Sequence, residues 1–369
     1  MIRVVSLFDG MSCGRVALER AQIPVRTYTA SEIDKYAIQI AQKNYPSTIQ
    51  LGDVRAVRQM AQYGLLGWVD LLIAGSPCQG FSFAGKQLAF DDPRSVLFFE
   101  FVWTLQALRQ INPDIKFMLE NVKMKKEHLD VITQVLGVEP VCINSALVSA
   151  QNRVRYYWAN WKIEQPADRG IYLRDIIEDE VDEKYLIDKG QLKRLQTSTD
   201  VPKGFSKINP EKAGCMTARQ YANWKGNFVT LPKKGYELEG IAITKNGIRP
   251  YKNDGRKGSF SEIGTIGLPD TKSACISATH APKFIQKIGE IKNGGIGNRV
   301  YSDQGKSVCI TADLIRRLTP VECERLQTLP DNYTAGISDA QRYKMLGNGW
   351  NVETVAHIFK QMPLPRGAQ

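Results

Sequence analysis

No run in this 369-residue chain approaches the ~20 consecutive apolar residues that a membrane-spanning helix needs. The opening Met1-Ile2-Arg3-Val4-Val5-Ser6-Leu7-Phe8 is too short in its apolar part for a secretory signal and reads as a first strand. The seven cysteines (Cys13, Cys78, Cys142, Cys215, Cys275, Cys309 and Cys323) are odd in number and contain no Cys-x-x-Cys pair. Neither a disulfide framework nor a zinc site is indicated, and a reducing cytoplasm is the expected compartment. Two nucleotide signatures are missing as well. The first strand-to-helix turn lacks the Gly-x-Gly-x-x-Gly spacing of dinucleotide folds, and no Gly-Lys-Ser/Thr follows it, which disfavours a nucleoside triphosphate.

What is present is ordinary in bulk and uneven in detail. A hydrophobic fraction of 43% and a charged fraction of 24% suit a globular protein. The length suggests two domains, or one large domain with an insertion. The net charge of +11 is concentrated: between Lys184 and Lys257 stand 16 Lys/Arg against 6 Asp/Glu, an excess of +10. Aromatic residues are interleaved there or close by (Tyr221, Trp224, Phe228, Tyr251, Phe260). A solvated basic face would account for the charge alone; with the aromatics, a polyanion is the expected partner.

The first 160 or so residues alternate strand and helix, the pattern of a parallel sheet with crossover helices. Strand Val4–Phe8 leads to helix Gly14–Ala21, strand Tyr28–Ser31 to helix Lys35–Tyr45, and strand Leu71–Ala74 to an apolar, buried helix Ser95–Gln110. From Pro166 to about Leu314 the chain turns rich in Gly, Lys, Asn and Thr with short β-like runs. A loose repeat recurs there: Cys215-Met216-Thr217-Ala218, Cys275-Ile276-Ser277-Ala278 and Cys309-Ile310-Thr311-Ala312. These read as three similar hairpins of a small β-rich domain, with the cysteines as core residues. Thr319-Pro320-Val321-Glu322 is a helix-start signal, and Val352–Met362 reads as a helix returning to the sheet. The expected division is a large domain of residues 1–165 and 336–369 and an inserted one of 166–335.

The densest chemistry lies in Gly75-Ser76-Pro77-Cys78-Gln79-Gly80-Phe81-Ser82, directly after Leu71-Leu72-Ile73-Ala74. A buried strand breaks there into a loop with a thiol near its start. Beyond such strand ends lies the ligand crevice of an open α/β sheet, and Pro77 stiffens the approach to the thiol. A lone cysteine is more often structural, but this one has partners. The apolar run Ile115-Lys116-Phe117-Met118-Leu119 ends in Glu120-Asn121-Val122, and Gln151-Asn152-Arg153-Val154-Arg155 opens the run Arg155–Trp158. Period-2 alternation puts Arg153 and Arg155 on one face. In these Pro-Cys-Gln, Glu-Asn-Val and Gln-x-Arg-x-Arg motifs, in this order, the chain resembles the cytosine-5 DNA methyltransferases over most of its length. The Cys78 loop is similar to the bacterial and phage type. Trp350 and the Arg94–Phe101 segment are similar to the animal de novo branch, so no target sequence is assigned.

That resemblance implies a Rossmann-like doubly wound α/β sheet, the class I methyltransferase fold, with an inserted small β-rich target-recognition domain. It implies S-adenosyl-L-methionine as cofactor. The turn Leu7-Phe8-Asp9-Gly10-Met11-Ser12-Cys13-Gly14, with Glu32 at the end of the second strand, would hold it. A carboxylate at Glu32 can accept both ribose hydroxyls, and Asp53 in Gly52-Asp53-Val54 can accept the adenine amino group. Leu97 belongs to the implied pocket, and Asn348, Gly349 and Trp350 would close it from the far end. Solvent-facing loop acids are the plain alternative for Glu32 and Asp53.

The implied chemistry is covalent. Cytosine C5 is a poor nucleophile until a thiolate adds at C6, which splits one difficult step into two. Cys78 would be that nucleophile, Glu120 the proton donor to N3, and Arg153 and Arg155 the holders of the base carbonyl and a phosphate. No metal is expected, since the sulfonium already activates the methyl group. The base must leave the duplex to be reached. Gln79 and Ser82 are candidates to contact the flipped strand, and Arg219, Tyr221 and Arg256 to read the double-stranded DNA. A monomer is expected, with a separately acting restriction endonuclease left open as a companion. An RNA cytosine methyltransferase would share nearly every motif, and the long basic insert speaks against it. A catalytically inert DNA-binding scaffold is the rival of another class, and the intact Cys78, Glu120, Arg153 and Arg155 speak against that.

Overall fold

The computed structural model describes residues 1–76, 96–187, 207–218, 226–230, 241–244, 247–250, 275–276, 308–309 and 315–364. Its larger unit is built on seven strands: β1 Ile2–Leu7, β2 Val25–Ser31, β3 Ile49–Gln50, β4 Leu71–Gly75, β5 Lys116–Val122, β6 Val141–Asn144 and β7 Val154–Ala159. They lie in the order β3-β2-β1-β4-β5-β7-β6. Helices α1 Cys13–Arg20, α2 Lys35–Asn44, α3 Val54–Gln62, α4 Val96–Ile111 and α5 Lys126–Leu136 connect or follow the first five strands. The chain steps outward from β1 to β3, then returns to β4 on the other side of β1. Right-handed crossovers therefore place helices on both faces, and the reversal between β1 and β4 is a topological switch point. The doubly wound α/β expectation is met.

One expectation is corrected. The sheet is not wholly parallel: β7 runs antiparallel to both β5 and β6. The stretch Ser145–Arg153 between β6 and β7 holds only a 3-10 turn, too short for the crossover that a parallel pair requires. The strand therefore turns back and inserts between β5 and β6.

The central strands are apolar on both faces because both are covered. Leu71, Leu72, Ile73 and Ala74 of β4 and Phe117, Met118 and Leu119 of β5 are fully buried. Helix α4 packs Phe98, Phe101, Leu105 and Leu108 into this core, while Trp103 stays partly open with the Arg58 guanidinium over its ring. Among the described residues no helix is long and apolar enough to cross a membrane.

The chain divides into two compact units, Met1–Glu180 with Thr199–Asn227 and Leu318–Gln369, and Val181–Ser198 with Phe228–Arg317. The larger unit ends with α6 Pro320–Leu326, α7 Asp339–Asn348 and α8 Val352–Lys360. At α6 the expected capping box is present: Thr319 Oγ1 accepts from the Glu322 N–H (3.1 Å), and Glu322 Oε2 accepts from the Thr319 N–H (2.8 Å). In the smaller unit Ile241–Thr244 pairs antiparallel with Gly247–Pro250, and Ile315–Arg317 with Phe228–Thr230. Among the described residues the cysteine repeats do not form three separate hairpins. Cys275-Ile276 pairs with Val308-Cys309, so two repeats are partners in one ladder. The third, Cys215, belongs to the larger unit and is exposed, not a core residue.

Candidate active site

The last residue of β4, Gly75, pairs with Glu120, and Ala74 with Leu119, while β5 runs on for Asn121 and Val122. The pairing of Val122 with Arg155 puts Arg155 diagonally across from Glu120 on the same face. The contact follows: Arg155 Nε donates to Glu120 Oε1 at 2.9 Å, with both side chains mostly buried. The other oxygen, Oε2, accepts from Trp350 Nε1 at 3.1 Å. Trp350 reaches it because position 75 is glycine; a Cβ there would lie 2.6 Å from Nε1. Asn121 Nδ2 donates to Ser76 Oγ at 3.1 Å, tying the start of the cysteine loop to β5. The sequence showed Asn121 only as the middle of a motif. Cys78, Gln79 and Ser82 lie outside the described residues, as do Arg219, Tyr221 and Arg256.

The two arginines differ. Arg153 is 2% exposed and precedes β7. Its guanidinium donates to the carbonyls of Gly347 (3.3 Å), Gly349 (2.8 Å) and Met216 (3.4 Å), and meets Cys215 Sγ at 3.4 Å. It clamps the C-terminal end of α7 to the 215–216 segment, while Arg155 turns to Glu120. Gln151, also fully buried, reinforces this junction: its Oε1 accepts from the Met216 N–H and its Nε2 donates to the Leu326 carbonyl. Cys215 is exposed as a residue, yet its sulfur meets both guanidiniums, with Arg155 Nη2 at 3.8 Å. Crowding of the sulfur by protein raises its pKa, and the charges of Arg153 and Arg155 outweigh that, leaving the thiol below its ordinary value.

On the other side of the switch point, the turn between β1 and α1 carries left-handed backbone at Phe8 (φ 56°), Gly10 (φ 60°) and Ser12 (φ 64°). Asp9 stabilises this shape from within. Its buried carboxylate accepts from Ser12 Oγ (2.5 Å) and Tyr28 Oη (2.7 Å), and burial pushes it above the usual carboxylate range despite these bonds. Gly14 packs in the first turn of α1 against Ile73, Tyr28 and Trp350. Glu32 is half-buried; Oε2 accepts from the Gly10 N–H (2.8 Å), and Oε1 from the N–H groups of Ile33 (2.7 Å) and Asp34 (2.8 Å). Asp53 caps α3 through the Arg55 N–H (2.8 Å), and Val54 behind it is buried. Leu97 is half-buried on α4, Gly349 half-buried, and Asn348 exposed at the end of α7. Asp9 thus serves the turn from within, whereas Glu32 meets it at the Gly10 N–H and Asp53 caps α3.

The model of the family described as C-5 cytosine-specific DNA methylase matches residues 2–363. The chain belongs to that family. The methylase is 28% identical to the orphan methyltransferase M.SPRI of Bacillus phage SPR, over 98% of this chain and 97% of the relative. It is 27% identical to the type II methyltransferase M.BanI of Aneurinibacillus aneurinilyticus, over 98% and 95%. In fold it is similar to the S. pombe Dnmt2 methyltransferase (TM-score 0.58, 16% identity, 97% of each chain) and to the Entamoeba histolytica methyltransferase EhMeth (TM-score 0.61, 17% identity, 98% and 97%). The methylase is a DNA cytosine-5 methyltransferase with the class I fold that its motifs implied, and its family implies S-adenosylmethionine as the methyl source.

Proposed function

We propose that the methylase modifies a cytosine flipped out of a specific double-stranded DNA sequence through a covalent bond between Cys78 Sγ and C6. The observation that carries this reading is the Glu120 carboxyl on β5, paired with Gly75 at the end of β4 from which the cysteine loop departs. Addition of the thiolate to C6 makes the S–C6 bond and moves the electrons of the C5=C6 double bond to C5. Glu120 supplies a proton to N3 as charge builds on the ring. Arg155, already on one carboxyl oxygen, orients Glu120 and faces the base carbonyl. Arg153 holds the C-terminal end of α7 at Gly347 and Gly349, which closes the site. C5 of the resulting enamine would take up the methyl group that S-adenosylmethionine supplies, N3 returns its proton to Glu120, and loss of the C5 proton to a base with departure of the Cys78 thiolate restores the ring as 5-methylcytosine. No metal is needed.

S-adenosylmethionine fits the turn of Phe8, Asp9, Gly10 and Gly14, with Glu32 and Asp53 as its hydroxyl and amine acceptors and Val54, Leu97, Asn348, Gly349 and Trp350 around it. Two features support the fit: left-handed backbone that opens the turn, and a carboxylate at Glu32 preset by backbone N–H groups. Bound there, the cofactor supplies an electrophilic methyl group. The basic segment Lys184–Lys257, within the inserted stretch, reads the DNA, with Gln79, Ser82, Arg219, Tyr221 and Arg256 as contacts, in a cytoplasmic monomer. A companion endonuclease fits the type II relatives.

A duplex carrying 5-fluorocytosine tests the route, because fluorine cannot leave C5 as a proton does. Bisulfite sequencing of DNA from cells expressing the chain first finds the target. A cofactor-dependent adduct that survives denaturing gels and is lost in Cys78→Ser is the expected result. Its absence on a confirmed target overturns the covalent step.

A further inference from the structure

We propose that Trp350 is a positioning residue for methyl transfer: its indole N–H fixes the plane of the Glu120 carboxyl, and its ring links that carboxyl to the floor of the cofactor turn. This rests on the reading of Glu120 as the acid that acts on the base.

Trp350 is buried, and one rigid ring spans two parts of the site. Its Cζ3 edge packs 3.3 Å from where a Cβ of Gly14 would stand, in the first turn of α1. Its Nε1 edge lies over Gly75 and donates to Glu120 Oε2 at 3.1 Å. With Arg155 Nε on Oε1 at 2.9 Å, each carboxyl oxygen has a donor from a different element. One donor leaves a carboxyl free to turn about its last bond, whereas two on opposite oxygens set its plane. The constraint is mutual, because indole has a single donor and no acceptor, and leaving that donor unpaired in a buried place is costly. The loop beneath Trp350 cannot adjust freely either. The Gly349 carbonyl accepts from both Arg153 Nη2 (2.8 Å) and Gln327 Nε2 (3.0 Å). A residue that only walled the cofactor pocket would need neither the N–H nor the missing Cβ at Gly75.

The test has two arms on the full chain. In the first, without DNA, the indole N–H signals of the six tryptophans are recorded by ¹⁵N–¹H NMR. Trp350→Phe assigns one signal by deleting it, and Glu120→Gln should move that signal; a signal indifferent to Glu120→Gln overturns the hydrogen bond. In the second, single-turnover transfer from tritiated S-adenosylmethionine is measured on genomic DNA from a strain lacking cytosine methylation. Trp350→Phe should slow transfer about tenfold at saturating cofactor, the effect of losing one hydrogen bond. Cofactor affinity should change less than about threefold, and the same substitution in a Glu120→Gln background should cost nothing further. Additive losses, or a loss confined to cofactor affinity, overturn the positioning role. Glu120→Gln at the wild-type rate overturns the acid role beneath it, which the NMR arm separates from failure of the hydrogen bond. Should Trp350→Phe not fold, Gly75→Ala puts a Cβ between the indole and Glu120 Oε2 and should slow transfer in the same way; an unchanged rate in that variant overturns the proposal.

Discussion

Two carboxylates near strand ends of the same sheet are held in opposite ways. Glu32, after β2, is gripped by the N–H groups of Gly10, Ile33 and Asp34, all backbone. Glu120, on β5, is gripped by the side chains of Arg155 and Trp350, the second more than two hundred residues away in the chain. Backbone donors are insensitive to substitution and come with the turn. Side-chain donors can be removed one at a time, and each depends on packing elsewhere. The corner of Glu32 is therefore local and robust, and that of Glu120 is a long-range assembly.

The largest expected effect separates the two acids. Glu120→Gln should lower single-turnover methyl transfer by about 10²–10⁴-fold, the usual contribution of a general acid, with cofactor affinity measured by calorimetry nearly unchanged. Glu32→Ala should do the reverse, weakening cofactor binding about 10–100-fold through two lost hydrogen bonds while the rate at saturation changes little. Equal losses in both quantities for both variants would erase the contrast.

A smaller effect separates the two arginines. Arg153→Met should lower stability to urea by about 2–3 kcal/mol, because the carbonyls of Gly347 and Gly349 lose their donor. Arg155→Met should stay folded and transfer methyl groups slowly. At α6, Thr319→Ala removes one half of the capping box and should cost about 1 kcal/mol in the same unfolding experiment.

The smallest effect is in thiol chemistry. The guanidiniums beside Cys215 hold its thiol below the ordinary value, whereas burial raises that of Cys142 even with Lys123 nearby. The thiolate reacts, so as pH falls iodoacetamide labelling of Cys142 should fade first and that of Cys215 last, read by peptide mass spectrometry. Arg155→Met should narrow the gap. The opposite order would mean that the arginines do not act on that sulfur.

Much of this was legible in the chain itself. Strand and helix alternation, the β1–α1 turn with Glu32, and the capping box at Thr319 depend on neighbours within a few residues or one strand away, and local physics specifies them. The motifs also sufficed for the family and for placing Glu120 and Arg155 together, since strand periodicity and sheet order bring them to one face. What tertiary structure decided was direction and partnership. β7 runs antiparallel because the connection before it is short. Arg153 holds the carbonyls of Gly347 and Gly349, whereas Arg155 pairs with Glu120 on β5. Cys215, a core residue by pattern, is exposed, its sulfur against the guanidiniums of Arg153 and Arg155. Trp350 meets Glu120 only because Gly75 leaves room between them. A sequence determines which side chains are available and how each strand alternates; which of them touch depends on the packing of distant segments, and no local pattern encodes that.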